Sequence, residues 1–167
     1  PPGGSEYLAG LLHDCGKLVL EHYFPEDFDR IIIRATERAC GHVLVEKEFI
    51  GVSHAQIGAA ICECLQAHLE VIRAVWYHHE PFDQSLDGQP DNSKFLAACV
   101  SVADALANYK QLNIFGARIM DYEQPFDQLP EWKFLGQYQM TYGLELDLDL
   151  ELEKAKEDLK AFGMGGD

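Results

Sequence analysis

Two adjacent residues, His13 and Asp14, place an imidazole and a carboxylate side by side. Both side chains are common ligands of divalent transition metals. Lys17 follows one helical turn after His13, where its ammonium group could hold an anion beside a metal. The same three residues would also be ordinary on a solvated helix face. The pair indicates a metal site only if other residues of suitable chemistry support it.

Further candidate ligands are spread along the chain on separate predicted helices: His54, His78, His79 and Asp104. Ligands spaced in this way can meet only if several helices pack around one centre. Asp104 is the sole charged residue between Lys94 and Lys110. An ionised carboxylate in an apolar helix is costly unless it is paired or bound to a cation. A metal ligand and a structural ion pair are therefore the two roles open to Asp104.

Neighbouring residues of a helix point about 100° apart, so His78 and His79 are not expected to aim both rings at one point. We expect one ring to reach the site and the other to pack or to donate a hydrogen bond behind it. No role is predicted for the other histidines, which are His22, His42 and His68.

Ser53 and Gln56 form a capping-box pattern that predicts the start of a helix. His54 then lies in the first turn of that helix. The positive end of the helix dipole disfavours protonation there, so we expect His54 to be in the neutral form that a metal requires.

The spacing of apolar residues predicts an all-α chain without internal repeats. The first predicted helix is continuous and contains Leu8, Leu11 and Leu18 in its apolar stripe, with His13, Asp14, Lys17 and Gly10 on the opposite side. Gly10 would allow close approach to a neighbour. The other predicted helices cover residues 26–40 (with Gly41 as C-cap), the segment after Ser53, and residues 69–79, 93–109 and 132–142. Residues 83–92 and 112–128 are predicted loops.

The end of the chain carries two patterns. Leucine and acidic residues alternate over 144–153, which is typical of a strand. Apolar residues from Leu148 onward keep a helical spacing, and acidic residues precede lysines, which suits the helix dipole. We predict a helix from about residue 148.

Length and composition bound the class of protein. The 167 residues fit one domain with a real core, and the formal charge of −15 excludes the basic surface that nucleic acid binding requires. The longest apolar run, residues 95–103, is too short to cross a membrane, and no signal peptide opens the chain. The five cysteines are odd in number and lack a C-x-x-C pair, so we expect most to be buried apolar residues in a reducing cytoplasm.

Four segments together resemble the HD superfamily of helical, metal-dependent phosphohydrolases, and more narrowly its HDOD branch of bacterial signalling modules. They are residues 11–20 (LLHDCGKLVL), 48–59 (EFIGVSHAQIGA), 71–81 (VIRAVWYHHEP) and 101–107 (SVADALA). The resemblance implies a single HD-type helical bundle with residues 1–5 as a linker remnant, 6–112 as the core and 113–167 as a helical extension.

The resemblance also implies site residues. His13, Asp14 and Asp104 would be the central metal ligands, and His54 with His78 or His79 would complete a second metal position. Lys17 and Asp14 would be the catalytic residues of an active relative. A histidine and aspartate set suits iron, manganese, zinc or nickel better than calcium.

Two departures from active relatives favour a regulatory function. The segment after His79 reads EPFDQSLDGQP and lacks the G-Y-P element of the cyclic-di-GMP phosphodiesterases called HD-GYP. The superfamily also uses an upstream ligand on a helix that would precede Glu6, so we expect this chain to lack an upstream helical part.

The sequence therefore predicts a cytoplasmic signal-transduction module with protein partners, a divalent metal and a phosphate-containing small molecule as a further ligand, but neither nucleic acid nor membrane binding. An active metal-dependent phosphohydrolase is the alternative. A third reading is a small helical interaction domain whose histidines have no chemical role. We expect little or no hydrolysis of cyclic dinucleotides or phosphate esters.

Overall fold

A computed structural model of the chain describes residues 4–89, 92–109 and 128–142, together with Leu150, Glu151, Glu153, Lys154 and Glu157. Each regular element in these residues is a helix, so the all-α prediction is confirmed. The elements are α1 (Ser5–Leu12), α2 (Cys15–Tyr23), α3 (Pro25–Arg38), α4 (His42–Phe49), α5 (His54–Cys64), α6 (Leu69–Tyr77), a 3-10 turn (Gln84–Leu86), α7 (Ser93–Tyr109) and α8 (Pro130–Tyr142).

The chain divides into two compact units, Pro1–Leu135 and Gly136–Asp167. In the first unit, α6 is central and packs against α1, α5 and α7, while α2 packs on α5 and α3 packs on α4. Small and branched apolar residues make the main core: Ala9, Ala59, Cys62, Val71, Ala74, Val75, Leu86, Leu96, Ala97 and Val100. A smaller cluster of Ile31, Ala35 and Val45 joins α3 to α4. The helical core therefore places α1, α2, α5, α6 and α7 around one centre.

The second unit contains the C-terminal part of α8. Its other described residues, which begin at Leu150, are helical. The rest of the predicted C-terminal helix lies outside the described residues. So does the predicted loop over residues 112–128, apart from Gln128. The predicted domain bounds at residues 5 and 112 stay a prediction.

The prediction of one continuous first helix is wrong. The chain leaves the helical conformation at Asp14 (φ −103°, ψ 5°), and α2 starts afresh at Cys15. Two leucines of the predicted stripe, Leu11 and Leu18, do not face the core, since both are 62 % exposed, whereas Leu12 of the same stripe packs against it. Ala9 on α1 is buried. On α2 the buried residues are Gly16 and Leu20.

Gly10 and Gly41 also differ from the predictions. A Cβ on Gly10 would meet nothing within 4 Å, so this glycine permits no close approach. Helix α3 ends at Ala39, which takes the left-handed conformation (φ 47°), and Gly41 is instead the extended N-cap of α4. Hydrogen bonds from the backbone N–H groups of Ala39 and Cys40 to the last turn of α3 close the helix at that point.

Two further sequence predictions have clear outcomes. The Ser53–Gln56 capping box is present in both directions at the start of α5. The cysteine prediction is wrong for most of the five, since Cys62 alone is fully buried and Cys64 is exposed.

In the part of the chain that the structure describes, no helix combines the length and apolar content needed to cross a membrane.

Candidate metal centre

The candidate site lies where α1 passes into α2. His13 follows the last residue of α1, and Asp14 is the N-cap residue of α2. Gly16 sets the distance to α5, because a Cβ on Gly16 would overlap the backbone carbonyl of His54 and lie 3.0 Å from Gly58 N. The G of the H-D-x-G-K motif thus lets the backbone of α2 touch the start of α5. That contact brings Asp14 beside His54.

Asp14, His54, His78 and His79 form the first ligand cluster. Each offers one ligand atom, and the four atoms lie within 4.8 Å of one another. Asp14 Oδ1 is 3.3 Å from His54 Nε2 and 3.9 Å from His78 Nε2. His54 Nε2 is 3.0 Å from His79 Nε2. Four N and O donors at these separations surround a point that one metal ion could bind.

The second ligand cluster consists of His13, Asp14 and Asp104, whose ligand atoms also lie within 4.8 Å of one another. His13 Nε2 is 3.5 Å from Asp14 Oδ2 and 3.8 Å from Asp104 Oδ1. Asp104 is 12 % exposed on α7, where Asn108 donates a hydrogen bond to its Oδ1. Asp14 belongs to both clusters and directs one carboxylate oxygen to each.

Three of the histidines are held in the same way. The Nδ1 atoms of His13 and His78 lie 2.7 Å from the backbone carbonyl oxygens of Gly10 and Val75. His54 Nδ1 lies 2.8 Å from the Glu46 carboxylate. Carbonyl and carboxylate oxygens only accept hydrogen bonds, so each Nδ1 carries the proton. Each Nε2 is then the atom that faces the cluster, which is how metal-binding histidines are usually oriented.

Two buried polar atoms at the centre of the site would be better satisfied by a bound metal ion than they are without one. Asp14 Oδ1 and His78 Nε2 are buried, and neither has a well-formed hydrogen bond within the described residues, although Asp14 Oδ1 lies 3.3 Å from His54 Nε2. Buried polar atoms without partners are uncommon and costly. A cation between them would satisfy both, so the residues present fit a divalent metal.

The electrostatics of the cluster depend on Asp14. Burial opposes its ionisation, but contact with His54 and the charge of Lys17 outweigh burial and hold the pKa of Asp14 well below its usual range. Lys17 Nζ lies 2.8 Å from Asp14 Oδ2. Burial lowers the pKa of His78 to about 4 and also lowers that of His79, so both are neutral near pH 7.

The expectation that the environment of His54 disfavours its protonation is wrong. Burial lowers the pKa of His54, but its contacts with the Asp14 and Glu46 carboxylates outweigh burial and raise the pKa above the ordinary value of 6.5. The two adjacent carboxylates have a larger effect than the helix dipole because they are full charges in direct contact. The raised pKa favours a proton on His54 that a metal would have to displace.

The prediction that only one ring of the His78–His79 doublet reaches the site is also wrong. Helix α6 ends at Tyr77, and His78 is its C-cap residue. His78 keeps helical backbone angles (φ −64°, ψ −20°), so the 100° spacing alone does not decide where the two rings point. The two ring centroids lie 4.0 Å apart, and both residues contribute ligand atoms to the first cluster.

Glu46 was missed by sequence reasoning. It follows the buried Val45 on α4 and is itself 0 % exposed. Its neighbours Lys47 and Glu48 give the segment the charge pattern of a solvated helix face. That pattern contains no sign that one of the acidic residues points inward toward a histidine.

Part of the chain is similar to known proteins. Residues 4–81 match the HDOD domain family, which is consistent with an HD-superfamily domain of HDOD type. This range contains His13, Asp14, His54 and the histidine doublet, whereas Asp104 lies beyond it. The chain is 27 % identical over 126 residues to an uncharacterised protein of Treponema pallidum (strain Nichols), covering 75 % of this chain and 22 % of that protein. The chain thus spans about a fifth of the relative's length. No solved structure matches the chain.

Proposed function

We propose that this chain is a cytoplasmic bacterial signal-transduction module of HDOD type that binds a divalent transition metal and acts through protein partners. The observation that carries the proposal is the pair of ligand clusters that share Asp14. Two buried atoms, Asp14 Oδ1 and His78 Nε2, lack a well-formed hydrogen bond within the described residues, and a cation would satisfy both.

The donor set decides which metals suit the site. Asp14, His54, His78 and His79 would hold one ion, and His13, Asp14 and Asp104 would hold a second. Imidazole and carboxylate donors without thiolate favour iron, manganese, zinc or nickel. Each imidazole must be neutral to bind, and the lowered pKa values of His78 and His79 meet that need.

A regulatory function is supported by the net charge of the chain, by the contact of Lys17 with Asp14 and by the segment after His79. The chain carries a formal charge of −15, which repels phosphate-containing substrates. Lys17, the cation that contacts the ligands, is engaged with Asp14 at 2.8 Å. The segment after His79 also lacks the G-Y-P element of active phosphodiesterases.

Elemental analysis of purified protein tests the metal proposal. We expect at least one equivalent of a transition metal per chain, and loss of that metal in Asp14→Asn. Asp29→Asn on the exposed side of α3 is the matched control, because it removes the same charge far from the ligand clusters in the sequence. Metal content that is equal in wild type, Asp14→Asn and Asp29→Asn would show that the metal binds elsewhere.

The alternative function is a metal-dependent phosphohydrolase, and the position of Lys17 beside Asp14 favours it. A divalent ion bound there would supply Lewis-acid stabilisation of a phosphoryl group. Lys17 would offer its ammonium group to a phosphate oxygen on the same side of the site.

The assay of this alternative supplies manganese or iron(II) and then cyclic-di-GMP or a chromogenic phosphodiester. We expect little or no turnover, whereas turnover lost in both Asp14→Ala and Lys17→Ala would establish the enzyme instead.

A further inference from the structure

Glu46 is a fully buried carboxylate that touches the candidate centre through His54. It lies on α4, is 0 % exposed, and contacts the start of α5. Its Oε2 accepts a hydrogen bond from the His54 backbone N–H at 2.8 Å. Both of its oxygens also lie 2.8 Å from His54 Nδ1. One carboxylate therefore holds both the backbone and the ring of the same residue.

This double attachment leaves the His54 ring one orientation. The backbone bond fixes where α5 begins, and the ring bond fixes the rotation of the imidazole about that point. Carboxylates face both ring nitrogens, but the two Glu46 oxygens lie 2.8 Å from Nδ1 whereas Asp14 Oδ1 is 3.3 Å from Nε2, so the proton of a neutral His54 resides on Nδ1. Nε2 is then unprotonated and lies 3.3 Å from Asp14 Oδ1, inside the first ligand cluster.

His54 differs in this respect from the other two histidines with a defined Nδ1 partner. The rings of His13 and His78 are held by backbone carbonyls, whereas His54 is held by a charged group. A carboxylate partner makes the opposite nitrogen of an imidazole more basic and a better metal ligand. A buried carboxylate is also costly to maintain unless it is well paired. A purely structural role could be met by a neutral side chain at lower cost.

We propose that Glu46 is a positioning residue of the metal centre, which holds His54 with Nε2 presented to the ion in the first ligand cluster. The proposal rests on the proposed metal-binding function. It adds α4 to the helices that build the site, although α4 contributes no ligand to either cluster within the described residues.

The test compares Glu46→Gln with Glu48→Gln. A glutamine in place of Glu46 would keep the volume and one acceptor oxygen but lose the charge. Glu48 lies on the same helix, is exposed, and pairs with Arg38 instead of a site residue. Manganese or zinc affinity is measured by competition with a chromogenic chelator. We expect Glu46→Gln to weaken binding by about 10–100-fold, as removal of such hydrogen-bond partners does in other metal sites. Glu48→Gln should bind as wild type does, and equal affinity in Glu46→Gln and wild type would overturn the proposal.

A second measurement does not depend on metal or on the variant folding. Long-range nitrogen–proton NMR spectra of the metal-free wild-type protein, at a pH where His54 is neutral, report which ring nitrogen carries the proton. We expect Nδ1–H with an unprotonated Nε2, and a proton on Nε2 would overturn the proposal. If wild type binds no metal but His54 has this tautomer, the metal function fails while the positioning of His54 by Glu46 stands.

Discussion

Asp14 directs Oδ1 to His54 Nε2 at 3.3 Å and Oδ2 to Lys17 Nζ at 2.8 Å, so its two oxygens serve different partners. The first oxygen lies among the histidines of α5 and of the end of α6. The second faces His13 and, beyond it, Asp104 on α7. Asp14 thus belongs to both ligand clusters. The effect of a substitution on metal binding should depend on which of the two oxygens it affects.

The two clusters should be separable by mutation. Asp104→Asn removes a charged donor from the second cluster but leaves the four donors of the first. We expect the number of ions bound per chain to fall by one, or the weaker of two binding steps to disappear. His79→Gln should instead weaken binding in the first cluster. Isothermal titration calorimetry with manganese checks both, and identical effects of the two variants would contradict separate positions.

Metal affinity should rise with pH because a proton on His54 competes with the ion. The pKa of His54 is raised above 6.5 by Asp14 and Glu46 despite its burial. Below the raised pKa, each unit of pH decrease should weaken binding by about tenfold for the one proton displaced. Above it the affinity should level off. His78 and His79 add no dependence there, because their lowered pKa values keep them neutral.

Competition titrations between about pH 5 and 9 check this dependence, since histidines ordinarily titrate between about pH 5 and 8 and the pKa of His54 is raised. Calorimetry in buffers of different ionisation enthalpy should also detect proton release on binding. The exposed His68→Gln variant is the control and should keep the same slope. An affinity that does not change over this interval would contradict a protonated His54.

Gly16→Ala should destabilise the fold, because the added Cβ would overlap the His54 carbonyl. Overpacking of this kind typically costs about 1–3 kcal/mol of unfolding free energy. Gly10→Ala is the matched control, since its Cβ would meet nothing within 4 Å and alanine is favoured over glycine in a helix by about 1 kcal/mol. Urea unfolding with a chelator present compares the two. Equal stability of the two variants would show that α2 and α5 are not in close contact.

Lys17→Met should tighten metal binding. Lys17 Nζ forms an ion pair with Asp14 Oδ2 at 2.8 Å and would repel an incoming cation. Two unit charges about 4 Å apart interact by about 1 kcal/mol even in bulk water, which corresponds to roughly a fivefold change in affinity. Chelator competition measures the change. Lys94→Met, whose lysine pairs with Asp87, is the control. Weaker binding in Lys17→Met would show that Lys17 supports the ion instead of opposing it.

Local patterns predicted much of the helical framework correctly. Ser53 and Gln56 predicted the start of α5, and the isolated Asp104 in an apolar stretch predicted that α7 would carry a charged group to the centre. These predictions succeed because helix periodicity and capping depend on residues within a turn or two of each other. The HDOD resemblance came from the same short segments.

The orientation of side chains at helix ends could not be predicted in this way. A pattern of leucines predicted one helix through His13 and Asp14, but the helix breaks at Asp14, two residues before the close contact of Gly16 with the His54 backbone. His78 and His79 both join the first cluster although His78 keeps helical backbone angles. Contacts between residues far apart in the sequence decide both features.

The sequence by itself determined the helical class and supplied the histidines and carboxylates that could hold a metal. Only the tertiary structure decided that Glu46 points inward to His54 and that Asp14 divides its oxygens between two clusters. The reason is that residue types and periodicity are local, whereas each of these contacts joins residues on different helices. Their geometry exists only once those helices pack against one another.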